Sequence, residues 1–554
     1  MRRFFVVVLI LILCVGTGAA VRITEFCPDP YLQDDADEYI VLSGNGLLDG
    51  ITISDGRGGF RFPPGTRITG TMTVARSGPA FKQTHGRPPD FEWLDYSPDI
   101  PNVIPGDTLR LANSRDVLIL YENGRQIQNI TWPGDVRPRE GQVHYLQDGV
   151  WDPRPLMLGQ SRFEQSEFAD VKVTAFVSPD SSSGVFTSSV NSATDEILLN
   201  VYEFTSPAMA DTLIAARKRN VNVVLLVEGG PVGGISSEGK AALWSMNQSG
   251  IPLYAMAPRK GEHAPYRYDH AKYLVIDRRA VFLTSENFKY SGFPPEGGSG
   301  NRGWGVYLES PELASYFSNV FTFDLQDGSV KPYAGSPGNP EPLPPDKHKM
   351  EFSSRQFTGA TVRPVIAPDT SREIADLINS ATTSIEIEQA YITNETPLTL
   401  NPYLAAAINA SRRGVHVRVV LDSYWYNTED TADNDEMAAL INRIGATEKI
   451  PLEARCADLD ANELDKIHNK GVIVDDRNVL VSSINWNSNS PNFNREAGVI
   501  IDHPGVARYF REVFDDDWDS ALKTPSIQTD YLKITIVICV LVLLLVLYYR
   551  RHIR

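Results

Sequence analysis

The chain has 554 residues, of which 42% are hydrophobic, 22% charged and 10% aromatic, so it is neither wholly disordered nor collagen-like. Its 52 Lys and Arg against 69 Asp and Glu give a formal charge of −17, which argues against a surface that binds polyanions throughout, though not against a local basic cleft. Four cysteines cannot form a disulfide framework, and without a CxxC pair we expect no structural zinc site.

Residues 1–20 have the features of a secretory signal. Two arginines follow Met1, an apolar run extends from Phe4 to Val15, and small residues lead to Ala20. This order predicts a signal peptide cleaved near Ala20. The alternative is an uncleaved anchor, which would also place the following domains outside the cytoplasm.

Residues 21–168 predict a β domain with a closing extension. Short apolar strands separated by Gly, Pro and Asp-Gly turns are typical of a β-sandwich, and we predict them at 39–42, 51–53, 71–74, 108–111 and 117–120. The segment resembles the lamin-tail domain, an immunoglobulin-like sandwich, in the motifs Ile23–Phe26, Asp37–Leu42 and Phe62–Gly65. The resemblance implies binding or scaffolding rather than catalysis.

The remainder of the chain contains an internal duplication. Ser178-Pro179-Asp180 recurs at 367–369, Asn191–Thr194 recurs at 379–382, and Asn220–Leu226 recurs at 414–420. Each copy alternates strands with helices, which predicts two α/β halves at 169–330 and 351–525. Residues 331–350 between them are rich in Pro and Gly and predict a semi-rigid linker.

The two halves carry the same constellation of polar residues. The first has His270, Lys272 and Asp277 in the pattern HxKxxxxD, and the second has its counterpart at 468–475. In each copy a Ser follows the Asp by eight positions and an Asn follows it by ten, so coincidence is negligible. The second set and the Ser and Asn positions are His468, Lys470, Asp475, Ser285, Asn287, Ser483 and Asn485.

The spacing within each motif has a structural meaning. Side chains two apart on a strand share one face, so the His and Lys point together, whereas the Asp seven positions on has the opposite parity. We therefore expect the Asp to support the structure or orient a partner. A returning strand brings the Ser and Asn back toward the His and Lys.

Two such halves facing each other would form a single site suited to a phosphodiester. A neutral His can attack phosphorus and a protonated His can donate to the leaving oxygen. Two lysines would neutralise the non-bridging oxygens. We expect neither a metal nor another cofactor, because this chemistry requires none and the sequence has no obvious carboxylate cluster.

Both motifs match the signature of the phospholipase D superfamily, which this chain resembles over about residues 170–525. The resemblance implies a pseudo-dimer of two α/β halves and a covalent phosphohistidine, with His270 as nucleophile and His468 as general acid. It also implies phosphate binding by the Lys and Asn residues, with Ser285 and Ser483 beside them. Asp277 and Asp475 would hold the histidines or the local fold.

The first half departs from the superfamily pattern at the acidic position that follows the motif. In the second half Glu496 occupies this position, within Asn494–Gly498, and we predict that it belongs to the substrate site. The first half has Asn301–Gly305 at the matching place, without an acidic residue. We therefore expect the two sides of the site to be unequal.

The C-terminus predicts a membrane span. Leu532–Tyr549 is apolar apart from Lys533 and is long enough for a transmembrane helix, and the basic tail 550–554 would stay cytoplasmic. Together these features predict a single-pass cell-membrane protein with an extracytoplasmic phosphodiesterase. Tethering beside a bilayer favours a phospholipid substrate. The alternatives are an extracellular nuclease acting on DNA or RNA, and a non-catalytic envelope scaffold.

Overall fold

The computed structural model describes residues 21–521, except 95, 115, 133–138, 148, 259–262, 346–347, 397–398 and 429–432. The chain divides into two compact units between Gln160 and Ser161. The predicted signal at 1–20, the predicted span at 532–549 and the predicted tail at 550–554 lie outside the described residues.

The first unit is built almost entirely of β-strands. Its elements are β1 (Arg22–Cys27), β2 (Tyr39–Leu47), β3 (Ile51–Ser54), β4 (Gly59–Arg61), β5 (Arg67–Ala75), α1 (Gly78–His85), β6 (Phe91–Glu92), β7 (Ile104–Pro105), β8 (Asp116–Glu122), β9 (Arg125–Trp132), β10 (Gln142–Gln147), β11 (Val150–Trp151) and β12 (Leu156–Met157). One sheet has the order β11-β10-β1-β2-β5-β6, with β12 paired to β10, and the other has the order β7-β4-β3-β8-β9.

The two sheets of this unit share one hydrophobic core. Alternate residues of β2, β3 and β8 are buried in the same cluster, among them Ile40, Ile53 and Leu120. A period of two places these side chains on the inner face of each sheet, which is the arrangement of a sandwich. The finer assignment to the lamin-tail family stays a prediction.

One strand predicted in this unit is wrong. Thr108–Leu111 forms no strand, although its two leucines are buried. The amide of Arg110 donates to a carboxylate oxygen of Asp55 at 3.1 Å, and the amide of Leu111 donates to Glu38 at 3.1 Å. Side-chain acceptors thus satisfy amides that would otherwise pair with a neighbouring strand.

The second unit alternates strands and helices. Its elements are β13 (Phe168–Ser178), α2 (Ser182–Asn191), β14 (Glu196–Val201), α3 (Pro207–Lys218), β15 (Asn222–Glu228), α4 (Ser237–Gln248), β16 (Leu253–Met256), β17 (Lys272–Ile276), β18 (Ala280–Thr284), β19 (Gly303–Glu309), α5 (Pro311–Leu325), β20 (Val330–Pro332), β21 (Arg355–Ala367), α6 (Glu373–Asn379), β22 (Ser384–Gln389), α7 (Pro402–Arg412), β23 (His416–Leu421), α8 (Asn434–Glu448), β24 (Leu452–Cys456), β25 (Lys470–Val474), β26 (Asn478–Ser482), α9 (Ser490–Phe493), β27 (Glu496–Asp502) and α10 (Pro504–Ser520).

All strands of this unit join one sheet with internal symmetry. Its order is β20-β16-β15-β14-β17-β18-β19-β13-β21-β27-β26-β25-β22-β23-β24. The halves meet at the antiparallel pair β13–β21, and outward from it seven strands of each half follow the same order, β13-β19-β18-β17-β14-β15-β16 and β21-β27-β26-β25-β22-β23-β24. The predicted pseudo-dimer of two α/β halves is confirmed. The first half ends with β20, which pairs with β16 and extends to Pro332 within the predicted linker.

Local sequence explains why these elements form where they do. All residues of β17 and β18 are buried, as expected of strands covered on both faces by helices. Helices α3, α4 and α5 begin at Ser206, Ser236 and Ser310, whose hydroxyls accept an amide of the first turn. Proline at the first position of α3 and α5 further favours these starts.

The predicted localisation requires correction. No helix among residues 21–521, as far as they are described, is long and apolar enough to cross a bilayer, which conflicts with a single-pass membrane protein. The longest helix among the described residues, α10, has 17 residues and one strongly polar face that carries Arg508, Arg511 and Glu512. A bilayer-spanning helix needs about 20 predominantly apolar residues.

Two buried arginines tie the halves of the sheet together. Arg302 of the first half contacts Asp180 of its own half at 2.9 Å and Asp517 of the other half at 2.8 Å. Arg495 of the second half contacts Asp324 of the first half at 2.8 Å. Each guanidinium therefore neutralises carboxylates that would be costly to bury alone.

We predict that Arg495→Met lowers the free energy of unfolding by about 3–5 kcal/mol, because Asp324 would remain buried without its counter-charge. Urea denaturation followed by tryptophan fluorescence measures the change. Arg412→Met is the control, since Arg412 and Glu448 form an exposed pair at 2.7 Å that should contribute less than about 1 kcal/mol. Equal effects of the two substitutions would contradict this assignment.

Candidate active site

The two motif histidines lie where the halves meet. His270 precedes β17, and its amide donates to the carbonyl of Arg495 in the other half at 2.8 Å. His468 precedes β25, and its amide donates to the carbonyl of Arg302 at 2.9 Å. Each histidine backbone is therefore anchored by the opposite half of the sheet.

The side chains of the histidines are also paired across the halves. Nδ1 of His270 lies 2.8 Å from Oε2 of Glu496, and Nδ1 of His468 lies 3.2 Å from Oε1 of Glu286. Both glutamates are buried, with at most 1% of their surface exposed. A carboxylate accepts a hydrogen bond from Nδ1–H, which fixes the proton on Nδ1 and leaves Nε2 as the nitrogen available to a substrate.

A buried lysine accompanies each histidine. Nζ of Lys272 donates to the carbonyl of His270 at 2.8 Å, and Nζ of Lys470 donates to the carbonyl of His468. Burial lowers the pKa of Lys272 to about 8 and holds the pKa of Lys470 well below its ordinary value. The ring of Tyr202 lies 5.4 Å from the Lys272 ammonium.

The electrostatics of the site favour neutral imidazoles before substrate binds. Burial, together with the nearby Lys272, lowers the pKa of His270 although Glu496 opposes this shift. Burial and the charges of Lys470 and Lys466 hold the pKa of His468 well below its ordinary value. A neutral imidazole is the form that a nucleophile requires.

The two carboxylates respond differently to this environment. Burial raises the pKa of Glu286 even though Lys470 opposes the shift. Burial also acts to raise the pKa of Glu496, but the His270 ring and Lys272 outweigh it and lower the pKa. Glu496 is therefore the carboxylate that more readily carries a full negative charge.

Of the predicted Ser and Asn residues, Ser483 contacts one of these pairs directly. The hydroxyl of Ser483 donates to Oε2 of Glu496 at 2.6 Å, and Ser285 Oγ accepts the amide of Trp304 at 3.1 Å. Nδ2 of Asn287 donates to a carboxylate oxygen of Glu203 at 3.1 Å. Asn485, the equivalent residue of the second half, is 9% exposed. Their role in substrate binding stays a prediction.

The two motif aspartates lie at the opposite end of the site strands. Asp277 follows β17, which is roughly 16 Å long, and its Oδ1 accepts the amides of Asp195 and Glu196 at 2.8 Å. Asp475 takes the equivalent place after β25 and accepts amides of residues 382–384. These contacts support the local fold, and among the described contacts none joins either aspartate to a histidine.

The expected inequality of the two sides is wrong in one respect. Gly303 stands in the first half where Glu496 stands in the second, but the first half still supplies a carboxylate, from Glu286. Sequence comparison of the two copies carried a signal, because Glu286 is acidic where the matching Ile484 is apolar.

Other residues near the site carried no signal in the sequence. Nζ of Lys466 donates to the hydroxyl of Tyr426 at 3.0 Å. Tyr426 and Trp425 are 48% and 59% exposed, and their ring centroids lie 5.7 Å apart. We call these two residues the aromatic rim.

Among the described residues, no group of three or more His, Cys, Asp or Glu is arranged to hold a metal ion.

A sheet of two α/β halves, with a histidine and a lysine from each half at their junction, defines a protein of the phospholipase D type. The chain belongs to the family described as "Cardiolipin synthase, PLD-like domain", which matches residues 186–325 and 374–518, together more than half of the chain. The resemblance to the phospholipase D superfamily is thereby confirmed.

Individual relatives match shorter stretches. Mitochondrial cardiolipin hydrolase of Mus musculus is 29% identical over 120 residues, which are 22% of this chain and 48% of that protein. The Homo sapiens protein of the same name is 32% identical over 120 residues, which are 22% of this chain and 42% of that protein. The chain thus spans less than half the length of these curated relatives.

Two solved structures are also similar. Phosphatidylserine synthase of Haemophilus influenzae is 14% identical, with a TM-score of 0.46, over 63% of this chain and 88% of that chain. Nuc, a phospholipase D family member from Salmonella typhimurium, is 25% identical, with a TM-score of 0.26, over 29% of this chain and 98% of that chain. At the level of the family, the matched descriptions support an enzyme that acts on phosphodiesters.

The contacts of Asp475 predict a pH-dependent contribution to stability. Burial opposes ionisation, but hydrogen bonds from residues 382–384 lower its pKa from 3.8 to about 2. A lowered pKa in the folded state stabilises the fold above pH 4, and this contribution is lost as the pH falls from about 4 to 2. We expect Asp475→Asn to lower the melting temperature at pH 7, with a difference from wild type that narrows below pH 4.

Thermal unfolding between pH 7 and pH 3 measures this difference. Asp460→Asn is the control, because Asp460 is exposed and its substitution should leave the melting temperature nearly unchanged throughout. A difference between Asp475→Asn and wild type that stays constant across this range would rule out the proposed role of the ionised carboxylate.

Proposed function

We propose that this protein is a phosphodiesterase that cleaves its substrate through a covalent phosphohistidine. The observation that carries the proposal is the crossed arrangement of His270 with Glu496 and of His468 with Glu286, each beside a buried lysine. The arrangement supplies a nucleophile, an acid and a positively charged surrounding for a phosphate within a single site.

In the first step, Nε2 of His270 attacks phosphorus and the bond to the leaving oxygen breaks. His468 donates its proton to that oxygen, so the leaving group departs as an alcohol. In the second step, His468 removes a proton from water, and the water oxygen displaces His270 from phosphorus. Glu496 holds the Nδ1 proton of His270 and stabilises the positive charge that the ring acquires.

The two lysines bind the phosphate and influence the protonation of His468. Lys272 and Lys470 are placed to neutralise the non-bridging oxygens, on which negative charge is spread during phosphoryl transfer. Before substrate binds, burial and the charges of the two lysines lower the pKa of His468. A bound phosphodiester anion offsets this repulsion, so His468 gains its proton when substrate is present.

We propose a phospholipid as the substrate. The family description names cardiolipin synthase, and the curated relatives are named for cardiolipin hydrolysis. The aromatic rim supports this choice, because exposed aromatic rings beside Lys466 suit the boundary between a lipid headgroup and its apolar part. The same rings could stack on bases, which keeps a nuclease as the second candidate.

We propose that the first unit is a lamin-tail-like module for binding or scaffolding.

Substitution of either histidine tests the mechanism. We expect His270→Ala and His468→Ala each to reduce hydrolysis of bis(p-nitrophenyl) phosphate by about 10²–10⁴-fold, because each removes a group that acts in the transition state. His416→Ala is the control, since His416 is exposed on β23. Denaturation and digestion at alkaline pH, where the P–N bond of phosphohistidine survives, followed by mass spectrometry should place the phosphoryl group on His270. Full activity in both site variants would disprove the mechanism.

The pH profile tests the role of Lys272. Because the pKa of Lys272 is lowered to about 8, its ammonium form is lost as the pH rises through this value. We expect kcat/KM to fall above about pH 8. Lys272→Arg should lower the rate but shift this decline to higher pH, since arginine remains charged. A decline at the same pH in both proteins would assign it to another group.

A direct comparison of substrates tests the choice of phospholipid. We expect the protein to hydrolyse cardiolipin in mixed vesicles and to leave a labelled single-stranded DNA oligonucleotide intact. Cleavage of DNA alone, weakening steeply with added salt, would establish the nuclease instead. Folded protein that turns over neither substrate nor a generic diester would support a scaffold. His270→Ala is the control for contaminating activity in each assay.

A further inference from the structure

We infer that Glu286 is the positioning residue of His468, and that it supplies from a loop the carboxylate that the second half supplies to His270 from a strand, where the first half has Gly303. The inference rests on the proposed function, in which His468 is the acid and later the base. It assigns a role to a residue of the loop after β18 that the motif pattern leaves unspecified.

Strand pairing identifies which residue of each half occupies the same place. Ser178 pairs with Gly303 across β13 and β19, and Ala367 pairs with Glu496 across β21 and β27. Ser178 and Ala367 both end the central strand of their half, immediately before a proline. Gly303 is thus the counterpart of Glu496.

The next strand pair gives the same correspondence. Thr284 pairs with Gly305 in the first half, and Ser482 pairs with Gly498 in the second. Two residues beyond Thr284 the chain reaches Glu286, whereas two residues beyond Ser482 it reaches the buried Ile484. The acidic residue therefore lies on the loop in one half and on the strand in the other.

Steric exclusion links the glycine to the glutamate. A Cβ atom on Gly303 would lie 2.4 Å from Oε1 and 2.6 Å from Cγ of Glu286, and 2.8 Å from Oγ of Ser285. Any larger residue at this position would displace the carboxylate. The observed position of the Glu286 carboxylate thus requires glycine at position 303.

The carboxylates of Glu286 and Glu496 have equivalent hydrogen-bond partners. Oε2 of Glu286 accepts a hydrogen bond from Nδ2 of Asn301 at 2.9 Å, and Oε1 of Glu496 accepts one from Nδ2 of the matching Asn494 at 3.0 Å. In both glutamates the second oxygen faces Nδ1 of the histidine from the other half. The two carboxylates therefore make equivalent contacts although residues at different positions of the two halves supply them.

The surroundings of the two carboxylates differ in detail. Glu496 also accepts the hydroxyl of Ser483 at 2.6 Å and lies 2.8 Å from its histidine. Glu286 lies 3.2 Å from His468. His270 thus has the shorter contact with its carboxylate, and that carboxylate has one more hydrogen-bond donor.

An exchange of the two positions tests the inference. We expect Glu286→Gln to reduce turnover of a generic diester by about 10–100-fold and to let the phosphohistidine accumulate, because His468 then activates water poorly. The single variants Glu286→Ile and Gly303→Glu should show losses at least as large. The double variant Glu286→Ile/Gly303→Glu copies the second half, and it should recover activity to within about tenfold of wild type. Failure of the double variant to exceed either single variant, in folded protein, would overturn the inference.

Histidine NMR tests the same pairing without turnover. With ¹³C-labelled histidine in the full chain, and His468→Ala to identify the signal, Glu286→Gln should shift the titration of His468 to lower pH. Removing a carboxylate removes attraction for the imidazolium. The His270 signal should move only in Glu496→Gln, the matched variant. If Glu286→Gln does not fold, Glu286→Asp replaces it, because this variant keeps the carboxylate but holds it on a shorter side chain.

The two experiments separate this inference from the proposed function. A His468 titration that responds to Glu286→Gln in a protein that hydrolyses no diester would uphold the pairing and reject the phosphodiesterase. A His468 titration that is unchanged, in a protein whose activity depends on His270, would reject the pairing and uphold the phosphodiesterase.

Discussion

The buried ion pairs that two arginines form between the halves are the constraint on which the rest of the second unit depends. Arg302 and Arg495 each place a guanidinium among buried carboxylates, and at least one of these belongs to the opposite half. The backbone carbonyls of the same two arginines accept the amides of His468 and His270. The residues that neutralise the interior therefore also set the position of the candidate site.

Crossed pairing also explains why a single half cannot form the site. Each histidine receives its carboxylate from the other half, and each buried lysine lies near acidic residues from both halves. Separated halves would leave these charges without compensation. The net charge of −17 was a poor guide to this cleft, because it describes the chain as a whole whereas the site concentrates positive charge within a few residues.

Sequence patterns predicted those parts of the structure that depend on neighbours along the chain. The duplication, the strands that follow His270 and His468, and the turn aspartates all follow from spacing and composition. The same reasoning failed for Thr108–Leu111, where distant carboxylates satisfy the amides. The role of Glu286 could not be predicted in the same way, because the position that matches Glu496 in the first half is Gly303, which has no carboxylate. The replacement lies on another segment of the same half.

By itself, the sequence determined that this is a duplicated protein of phospholipase D type and which residue types each half contributes. The spacing within each motif is a local property and could be read directly. The strands, however, begin at Lys272 and Lys470, so each histidine lies just before its strand rather than on it. Only the tertiary structure decided that Glu496 serves His270 and Glu286 serves His468. These partners lie 226 and 182 residues apart, and they meet because β13 and β21 pair at the centre of one sheet.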